Sequence, residues 1–411
     1  MLRIISSSDT KALARVLAPS VARDTSVDRR VAAIIADVRK GGDRAVVAYA
    51  KRFDALSGDV ELTAAEIAAG AAKVPPATRR AIKLAARHIR EVAKAQLPTS
   101  KRIIVAPGIV VEQRVRPLER VGCYVPGGRY PLPSSLLMTA IPARVAGVDE
   151  VIAVCPRPEP VVLAAAAEAG VDRLFRIGGA HAIAALAYGT ARIPRVDKIV
   201  GPGSAYVASA KALVQAHCAI DFQAGPSEIV VIATSGNPAW IAEDLIAQAE
   251  HDVDARAIFL TTSKRLAAQV HREIGARLPS EGPARESLQR NGCIVLTRSL
   301  REAITIANDL SPEHLVCDDE AVVEGVKAGA VFVGGWSAQA AGDYATGSNH
   351  VLPTAGAARF RGGLSAADFV RVSSVQRLTR RGLERIAPAV TTLAEAEGLL
   401  AHARSIRVRL S

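Results

Sequence analysis

Short runs of β-branched residues alternate with alanine-rich stretches over most of the chain beyond residue 120. In a first series, the runs GCYV, EVIAVC, RLFRI and DKIV are each followed by a glycine or proline signal and an alanine-rich, helix-like stretch. A second series contains EIVVIAT (228–234), AIFLTT (257–262), CIVLT (293–297) and AVFVGG (330–335). Such alternation is typical of βαβ units and a parallel sheet. The sequence therefore predicts two α/β units, separated near Gly225 and Pro226.

The flanking segments have other patterns. Residues 26–39, and the segment from Pro75 to about residue 96, place apolar side chains at helical spacing. Residues 102–115 form two short predicted strands around a Pro-Gly turn. After about Leu364 the strand signals stop, and a helical pattern continues up to a final IRVRL. We therefore predict a helical N-terminal segment and a helical C-terminal tail.

Composition excludes several classes of function. The chain carries 52 Lys and Arg against 40 Asp and Glu, but these charges are dispersed and only 4% of residues are aromatic, which argues against nucleic-acid binding. No apolar run approaches the ~18–20 residues that cross a bilayer. The N-terminus turns polar after five residues, so we expect a soluble, cytoplasmic protein. The five cysteines form no C-x-x-C pair and suggest neither disulfides nor a cysteine-based zinc site.

Three glycine-containing turns follow predicted strands of the first series. Residues 201–204 (GPGS) lie between the strand KIV and the helical run AYVASAKALV, and the turns at 125–128 and 178–179 repeat the arrangement. A helix N-terminus after such a turn offers backbone N–H groups to an anion. Each turn is equally compatible with an ordinary βα connection. Three of them on neighbouring strands indicate a shared ligand crevice.

Nitrogen and oxygen donors in the second half of the chain are candidate metal ligands. Gln248 and His251 lie three residues apart on a predicted helix, so both side chains project from one face. Asp343, His350 and His402 are further donors with no evident packing role. A ligand set without sulfur suits Zn²⁺ or Mn²⁺ at an open, catalytic site. Each residue alone is also compatible with an ordinary polar position, and spacing does not show convergence.

Glu313 and His314 form a candidate acid–base pair. A proline precedes them and the strand-like LVC follows, so we expect both groups at the C-terminal edge of a sheet. Acid–base residues of α/β enzymes gather at that edge. The alternative is a surface Glu-His dipeptide.

Taken together, the motifs resemble those of the histidinol dehydrogenase family from about residue 25 to the end. The shared motifs, in order, are YVPGG, GGAHAIAALAYGT, VDKIVGPGSAYV, AGPSE, QAEH, SPEHL, GDYATGSNHVLPT and LAEAEGLLAH. Members of this family oxidise L-histidinol to L-histidine with two NAD⁺, through an aldehyde that stays bound. They are zinc-dependent homodimers. The resemblance implies an α/β fold of two incomplete Rossmann-like parallel-sheet domains with a helical N-terminal segment and a helical C-terminal tail.

The resemblance also implies a division of the chain. Residues 1–24 would form an N-terminal helical arm, and residues 25–120 with 228–364 a first α/β domain that carries the metal and acid–base residues. Residues 121–227 would form the second, nucleotide-binding α/β domain. Residues 365–411 would be a tail exchanged with the partner subunit of a homodimer, so that active sites are shared.

Site residues follow from the same resemblance. It implies one Zn²⁺ per subunit, held by Gln248, His251, Asp343 and His402, with His314 as general base and Glu313 activating water. The implied substrate-binding residues are Ser227, Gln248, His251, His314, Asp343, His350, Glu397 and His402. The implied NAD-binding residues are Tyr124, His181 and Ser204. Glu397 and His402 would complete the other protomer's site.

Two positions depart from the family pattern. The family usually carries Gln where this chain has His181 and Asn where it has Ser204, which bears on cofactor affinity and on NAD versus NADP preference. The main alternative is a paralogue that oxidises another small polar alcohol, such as a sulfopropanediol-type dehydrogenase. Retention of Ser227, His350 and Glu397 favours histidinol. The complete ligand and acid–base set argues against a non-catalytic, nucleic-acid-binding derivative.

Overall fold

The computed structural model of the chain describes residues 2–18, 25–128, 130–222 and 225–411. The strands are β1 (Arg3–Ser6), β2 (Glu61–Leu62), β3 (Lys101–Ala106), β4 (Ile109–Pro117), β5 (Arg120–Tyr124), β6 (Glu150–Val154), β7 (Arg173–Phe175), β8 (Lys198–Val200), β9 (Ala219–Ile220), β10 (Glu228–Ile232), β11 (Arg256–Thr261), β12 (Cys293–Leu296), β13 (His314–Cys317), β14 (Ala330–Val333) and β15 (Val370–Leu378).

The helices lie between and after these strands. They are α1 (Thr10–Leu17), α2 (Thr25–Gly41), α3 (Asp43–Phe53), α4 (Ala64–Ala72), α5 (Pro76–Ala95), α6 (Pro133–Ala146), α7 (Pro160–Ala169), α8 (Gly179–Tyr188), α9 (Ala205–Val214), α10 (Pro238–Ala249), α11 (Lys264–Arg277), α12 (Ala284–Asn291), α13 (Leu300–Leu310), α14 (Gln339–Tyr344), α15 (Arg380–Ala396) and α16 (Leu400–Arg407). Short 3₁₀ helices cover Glu320–Gly325, Ala357–Arg359 and Ala366–Phe369.

Two six-stranded sheets form the centre of the fold. Sheet I has the order β2-β7-β6-β5-β8-β9, and sheet II has the order β1-β12-β11-β10-β13-β14. Apart from the antiparallel edge strand β2, all neighbours are parallel. Numbered in chain order, the five strands beside each edge strand run 3-2-1-4-5, which is the Rossmann order without its sixth strand. The predicted fold class is confirmed.

The central strands consist almost entirely of apolar residues because helices cover both faces of each sheet. Residues 151–154 of β6 and 229–232 of β10 are buried without interruption. Two apolar clusters flank sheet I and two flank sheet II. No helix in the described ranges is long and apolar enough to cross a membrane.

The helices of residues 25–95 pack on sheet I. Helix α2 contacts α8 and α9, α4 contacts α7, and α5 contacts α6. The structure therefore differs from the prediction, which grouped residues 25–120 with 228–364. The predicted N-terminal helical arm also differs, because it begins with β1, which pairs with β12 at the edge of sheet II. Residues 19–24 of that arm lie outside the described residues.

A three-stranded antiparallel sheet, β15-β4-β3, joins the tail to the body. The two predicted strands around the Pro-Gly turn are β3 and β4. The tail is not wholly helical as predicted, because β15 pairs with β4 along its whole length, from Val370 opposite Pro117 to Leu378 opposite Ile109. The start of α15 approaches the β3–β4 turn closely, and a Cβ on Gly382 would lie 2.1 Å from the carbonyl oxygen of Gly108.

Candidate active site

The acid–base pair lies at the amino-terminal edge of sheet II. His314 is the first residue of β13 and pairs with Ile229 near the start of β10 and with Ala330 at the start of β14. Glu313 immediately precedes the strand. The prediction of a C-terminal edge is therefore wrong, because the apolar run after His314 is the strand itself and the pair is at its beginning.

Three metal candidates reach the same edge through the helices that follow these strands. A helix that connects parallel strands runs back along the sheet, so its C-terminal end returns to the amino-terminal edge. Gln248 lies in the last turn of α10, and His251 follows that helix directly. Asp343 lies near the end of α14, the helix after β14. The chain order β10–α10 and β14–α14 thus brings residues together that are far apart in sequence.

His314 stands between two carboxylates. Its Nδ1 lies 3.7 Å from Oε2 of Glu313, and its Nε2 lies 3.6 Å from Oδ1 of Asp343. Glu313 and His314 are both buried. Oε2 of Glu313 also accepts the backbone N–H of Glu228 at 3.0 Å. The arrangement places a carboxyl group near each ring nitrogen, although Nδ1 of His314 has no hydrogen-bond partner among the described residues.

Burial and charge shift the pKa values of these groups. Burial raises the pKa of Glu313 to about 7, although the charge of His314 opposes the rise. Burial lowers the pKa of His314, but the carboxylates of Glu313 and Asp343 outweigh burial and raise it overall. Burial likewise raises the pKa of Asp343, but its contacts with His314 outweigh burial and lower it overall. Glu313 can therefore exchange a proton near neutral pH, while Asp343 stays ionised.

Gln248 supplies an observation that fits a metal ligand. Its side chain is fully buried, yet within the described chain neither its amide oxygen nor its amide nitrogen has a hydrogen-bond partner. An unpaired buried amide is costly unless something binds it. His251 is exposed beside it. The described residues contain no group of three His, Cys, Asp or Glu arranged to hold an ion, so one chain does not assemble the whole predicted ligand set.

The predicted substrate residues His350 and Ser227 border this cluster. Nδ1 of His350 is 2.9 Å from the backbone oxygen of Asp343. Burial lowers the pKa of His350, and the charges of His314 and His251 lower it further against the opposing carboxylate of Asp343. Ser227 immediately precedes β10 at the same edge of sheet II.

Glu397 and His402 are exposed in the single chain. Glu397 is the C-cap residue of α15, and His402 lies in the short helix α16. Helix α16 packs on α15, which in turn contacts β15. The described structure shows no contact between these two side chains and the Glu313–His314–Asp343 cluster.

The glycine turns of sheet I meet at its carboxyl edge, where β5 and β8 form the switch point of the strand order. Tyr124 ends β5, and Ser204 caps the N-terminus of α9 without a side-chain capping bond. Gly201 has a φ of +116°, and a Cβ there would lie 2.2 Å from the carbonyl oxygen of Tyr124. Only glycine fits so close to a backbone oxygen. Tyr124 and Ser204 thus flank the predicted crevice.

His181 faces the protein more than the crevice. It is 2% exposed, and its Nε2 lies 2.9 Å from Oδ2 of Asp54. The same carboxylate oxygen accepts the N–H of Gly178, and the hydroxyl of Tyr124 accepts the N–H of Gly179. Both N–H groups of the turn at 178–179 are therefore hydrogen-bonded to protein acceptors, so they are not available to an anion.

Comparison with known proteins gives the same family. The family model for histidinol dehydrogenase matches residues 18–410. The chain belongs to the histidinol dehydrogenase family. The histidinol dehydrogenase of Geobacter sulfurreducens is 46% identical over 97% of this chain and 96% of its own length. That of Syntrophotalea carbinolica is 45% identical over 100% of this chain and 99% of its own length.

A solved structure supports the fold as well as the family. The crystal structure of histidinol dehydrogenase from Elizabethkingia anophelis has a TM-score of 0.94 and 33% sequence identity, and it covers 100% of this chain and 98% of that chain. The predictions of family membership and of an oxidoreductase of histidine biosynthesis are confirmed.

Sequence reasoning missed two polar residues that support Asp343. The side chain of Gln339 donates through Nε2 to Oδ2 of Asp343 at 2.7 Å, and its backbone N–H faces the carboxylate of Asp244 in α10. Spacing carries a signal for both, because Asp244 lies four residues before Gln248 and Gln339 four residues before Asp343. Residues four apart share a helix face.

Proposed function

We propose that this protein oxidises L-histidinol to L-histidine with two NAD⁺ through a bound histidinaldehyde. Overall, one histidinol, two NAD⁺ and one water give histidine, two NADH and three protons. The observation that carries the proposal is the buried Glu313–His314–Asp343 cluster, together with the unpaired buried amide of Gln248 at the C-terminal end of α10, in a chain of the histidinol dehydrogenase family.

His314 and Glu313 would move the protons. His314 takes the hydroxyl proton of histidinol, and the flanking carboxylates stabilise the imidazolium that forms. Asp343 would share its negative charge between the imidazolium of His314 and the proposed Zn²⁺. Glu313, with a pKa of about 7, is suited to take a proton from the water that adds to the aldehyde.

Gln248, His251, Asp343 and His402 would hold one Zn²⁺, and this donor set fits the ion because it combines imidazole, carboxylate and amide groups without sulfur. When bound, zinc would orient the substrate, and NAD⁺ would be the hydride acceptor. The five cysteines take no part, because all five are buried and burial raises the pKa of Cys123 to about 12.

The shared site of a homodimer would supply His402 and Glu397. Both residues are exposed in the single chain, and the tail that carries them also exposes apolar side chains, among them Leu393 at 64% and Val408 at 69%. The β3–β4 hairpin exposes Ile104 at 70%. These apolar surfaces favour a second copy of the chain against the tail and hairpin. Ser227, His350 and Glu397 would bind the substrate.

The cofactor would bind at the carboxyl edge of sheet I. Tyr124 and Ser204 flank this crevice, and both hydroxyls can donate to a ribose or phosphate. His181 would contribute through Nδ1, the ring nitrogen beside Gly179, since Nε2 is bound to Asp54.

A substrate panel tests the proposal against the paralogue alternative. The purified protein is assayed with L-histidinol and with 2,3-dihydroxypropanesulfonate, each with NAD⁺ and with NADP⁺, and the product is identified by mass spectrometry. The proposal predicts that L-histidinol with NAD⁺ has the highest kcat/KM and yields L-histidine. Preferential turnover of the sulfonate would contradict it.

A further inference from the structure

Helix α10 and the segment 335–343 form one continuous contact that ends at the proposed metal site. Trp240, Asp244 and Gln248 are spaced four apart on α10 and so lie on one face. At the far end of this face, the rings of Trp240 and Trp336 pack with centroids 5.3 Å apart. Gly335 lies so close that a Cβ there would stand 2.9 Å from the Trp240 ring.

Asp244 makes the middle contact of this face. Its carboxylate faces the backbone N–H of Gln339, the first residue of α14, whose N–H has no partner within its own helix. Burial raises the pKa of Asp244 to about 6, and the nearby backbone N–H of Gln339 opposes the rise. The carboxylate therefore lies between α10 and the start of α14 at a partly buried position, where the two helices are in contact.

The side chain of Gln339 connects the start of α14 to Asp343. Its side chain is 1% exposed, and Nε2 donates to Oδ2 of Asp343 at 2.7 Å. That bond leaves Oδ1 of Asp343 facing His314. The side-chain amide of Gln339 thus holds one oxygen of Asp343. The backbone of Gln339 in turn lies next to Asp244 on α10, the helix that also carries Gln248.

We propose that Asp244 and Gln339 are positioning residues that set the placement of Asp343 relative to Gln248, and with it the affinity for zinc. The inference rests on the proposed function, because it assumes that Asp343 and Gln248 bind the ion. Neither positioning residue would touch substrate or cofactor. Hydrogen-bond partners of metal ligands commonly change metal affinity 10–100-fold when they are removed.

Zinc affinity measured by competition with a chromogenic chelator tests the inference on the full-length protein. Asp244→Ala and Gln339→Met should each weaken zinc binding by about 10–100-fold. Asp244→Asn should largely keep the zinc affinity of the unmodified protein, because its amide oxygen can still face the N–H of Gln339. Glu243→Gln is the matched control, since Glu243 is the exposed neighbour of Asp244 and pairs with Arg277 at 3.2 Å.

Two further readouts separate positioning from general stability. At saturating zinc, kcat of the variants should return to within a few-fold of the unmodified enzyme, and urea unfolding of the zinc-free Asp244→Asn protein should be unchanged. If the zinc dissociation constants of both Asp244→Ala and Gln339→Met lie within threefold of that of the unmodified protein, this inference is overturned but the proposed function is not. Absence of zinc binding in the unmodified protein would overturn the proposed function together with it.

Discussion

Lys211 and Asp221 form a buried ion pair beneath the predicted nucleotide crevice. Lys211 is 3% exposed and Asp221 is 4% exposed. Oδ2 of Asp221 accepts the N–H of Gly201 at 2.8 Å, and Oδ1 accepts the N–H of Phe222 at 2.6 Å. Lys211 contacts the same carboxylate and donates to the carbonyl oxygen of Gly201 at 3.0 Å. The pair therefore holds both polar groups of Gly201 in the turn before α9.

Lys211→Met should lower the free energy of unfolding by about 3 kcal/mol. Removal of one partner from a buried ion pair costs about 3–5 kcal/mol, because the other charge stays buried without compensation. The lower end applies here, since Asp221 keeps two backbone N–H donors. Loss of the bond from Lys211 should also allow Gly201 to move. This movement should weaken NAD⁺ binding, because the turn before α9 would no longer be held in one conformation.

Urea titration followed by far-UV circular dichroism measures this loss. Tryptophan fluorescence is unsuitable, because Trp240 and Trp336 pack together beside sheet II and not beside sheet I. The matched control is Lys94→Met, which removes an exposed lysine paired with Glu91 and should change stability by less than about 1 kcal/mol. NAD⁺ affinity is measured by calorimetry on both variants.

A double-mutant cycle isolates the interaction itself. Asp221→Asn removes the charge but keeps an oxygen for one N–H, so Lys211→Met with Asp221→Asn should cost less than the sum of the single changes by about 1–3 kcal/mol. Additive costs, or a loss below about 1 kcal/mol for Lys211→Met, would refute the reasoning.

Four other predictions concern the two acid–base residues, a pH effect and the dimer. His314→Asn should lower turnover by about 10²–10⁴-fold with zinc content unchanged by metal analysis, and Glu313→Gln should impair oxidation of histidinaldehyde more than its reduction to histidinol; an equal loss in both directions contradicts water activation by Glu313. Hydrogen bonds from Arg298 lower the pKa of Glu302 to about 2, so this carboxylate contributes stability above its ordinary pKa that is lost as pH falls toward 2. In Glu302→Gln the free energy of unfolding should therefore depend less steeply on pH between the ordinary glutamate pKa and about 2. An unchanged pH dependence would contradict the stabilising role of this carboxylate. Mixed dimers of His402→Ala and His314→Asn subunits should regain activity if sites are shared, whereas inactive mixtures refute exchange of the tail.

The fold class and the family could be predicted from sequence, because the central strands carry their own apolar runs and turn signals. The sheet against which an amphipathic helix packs could not be predicted in this way. The buried faces of α2 and α5 were evident from spacing, but the pattern does not state which sheet they cover, and they pack on sheet I. Strand β15 was missed because most of its residues are exposed, so no apolar run marks it.

Within the site, sequence identified the residue types but not their placement. The edge of the sheet at which Glu313 and His314 lie depends on where β13 begins, which the dipeptide alone does not show. The bond between His181 and Asp54 joins residues 127 positions apart, and no local pattern encodes it. Asp244 carried a detectable signal in its spacing from Gln248, but its partner in α14 is set only by the packed helices.

The ratio of NADH formed to L-histidinol consumed, measured with and without a metal chelator, tests the central claim most directly. Two NADH per histidinol with histidine as product, lost on chelation and restored by zinc, is the predicted result. One NADH per histidinol with accumulation of the aldehyde, or full turnover in zinc-free protein, would contradict it.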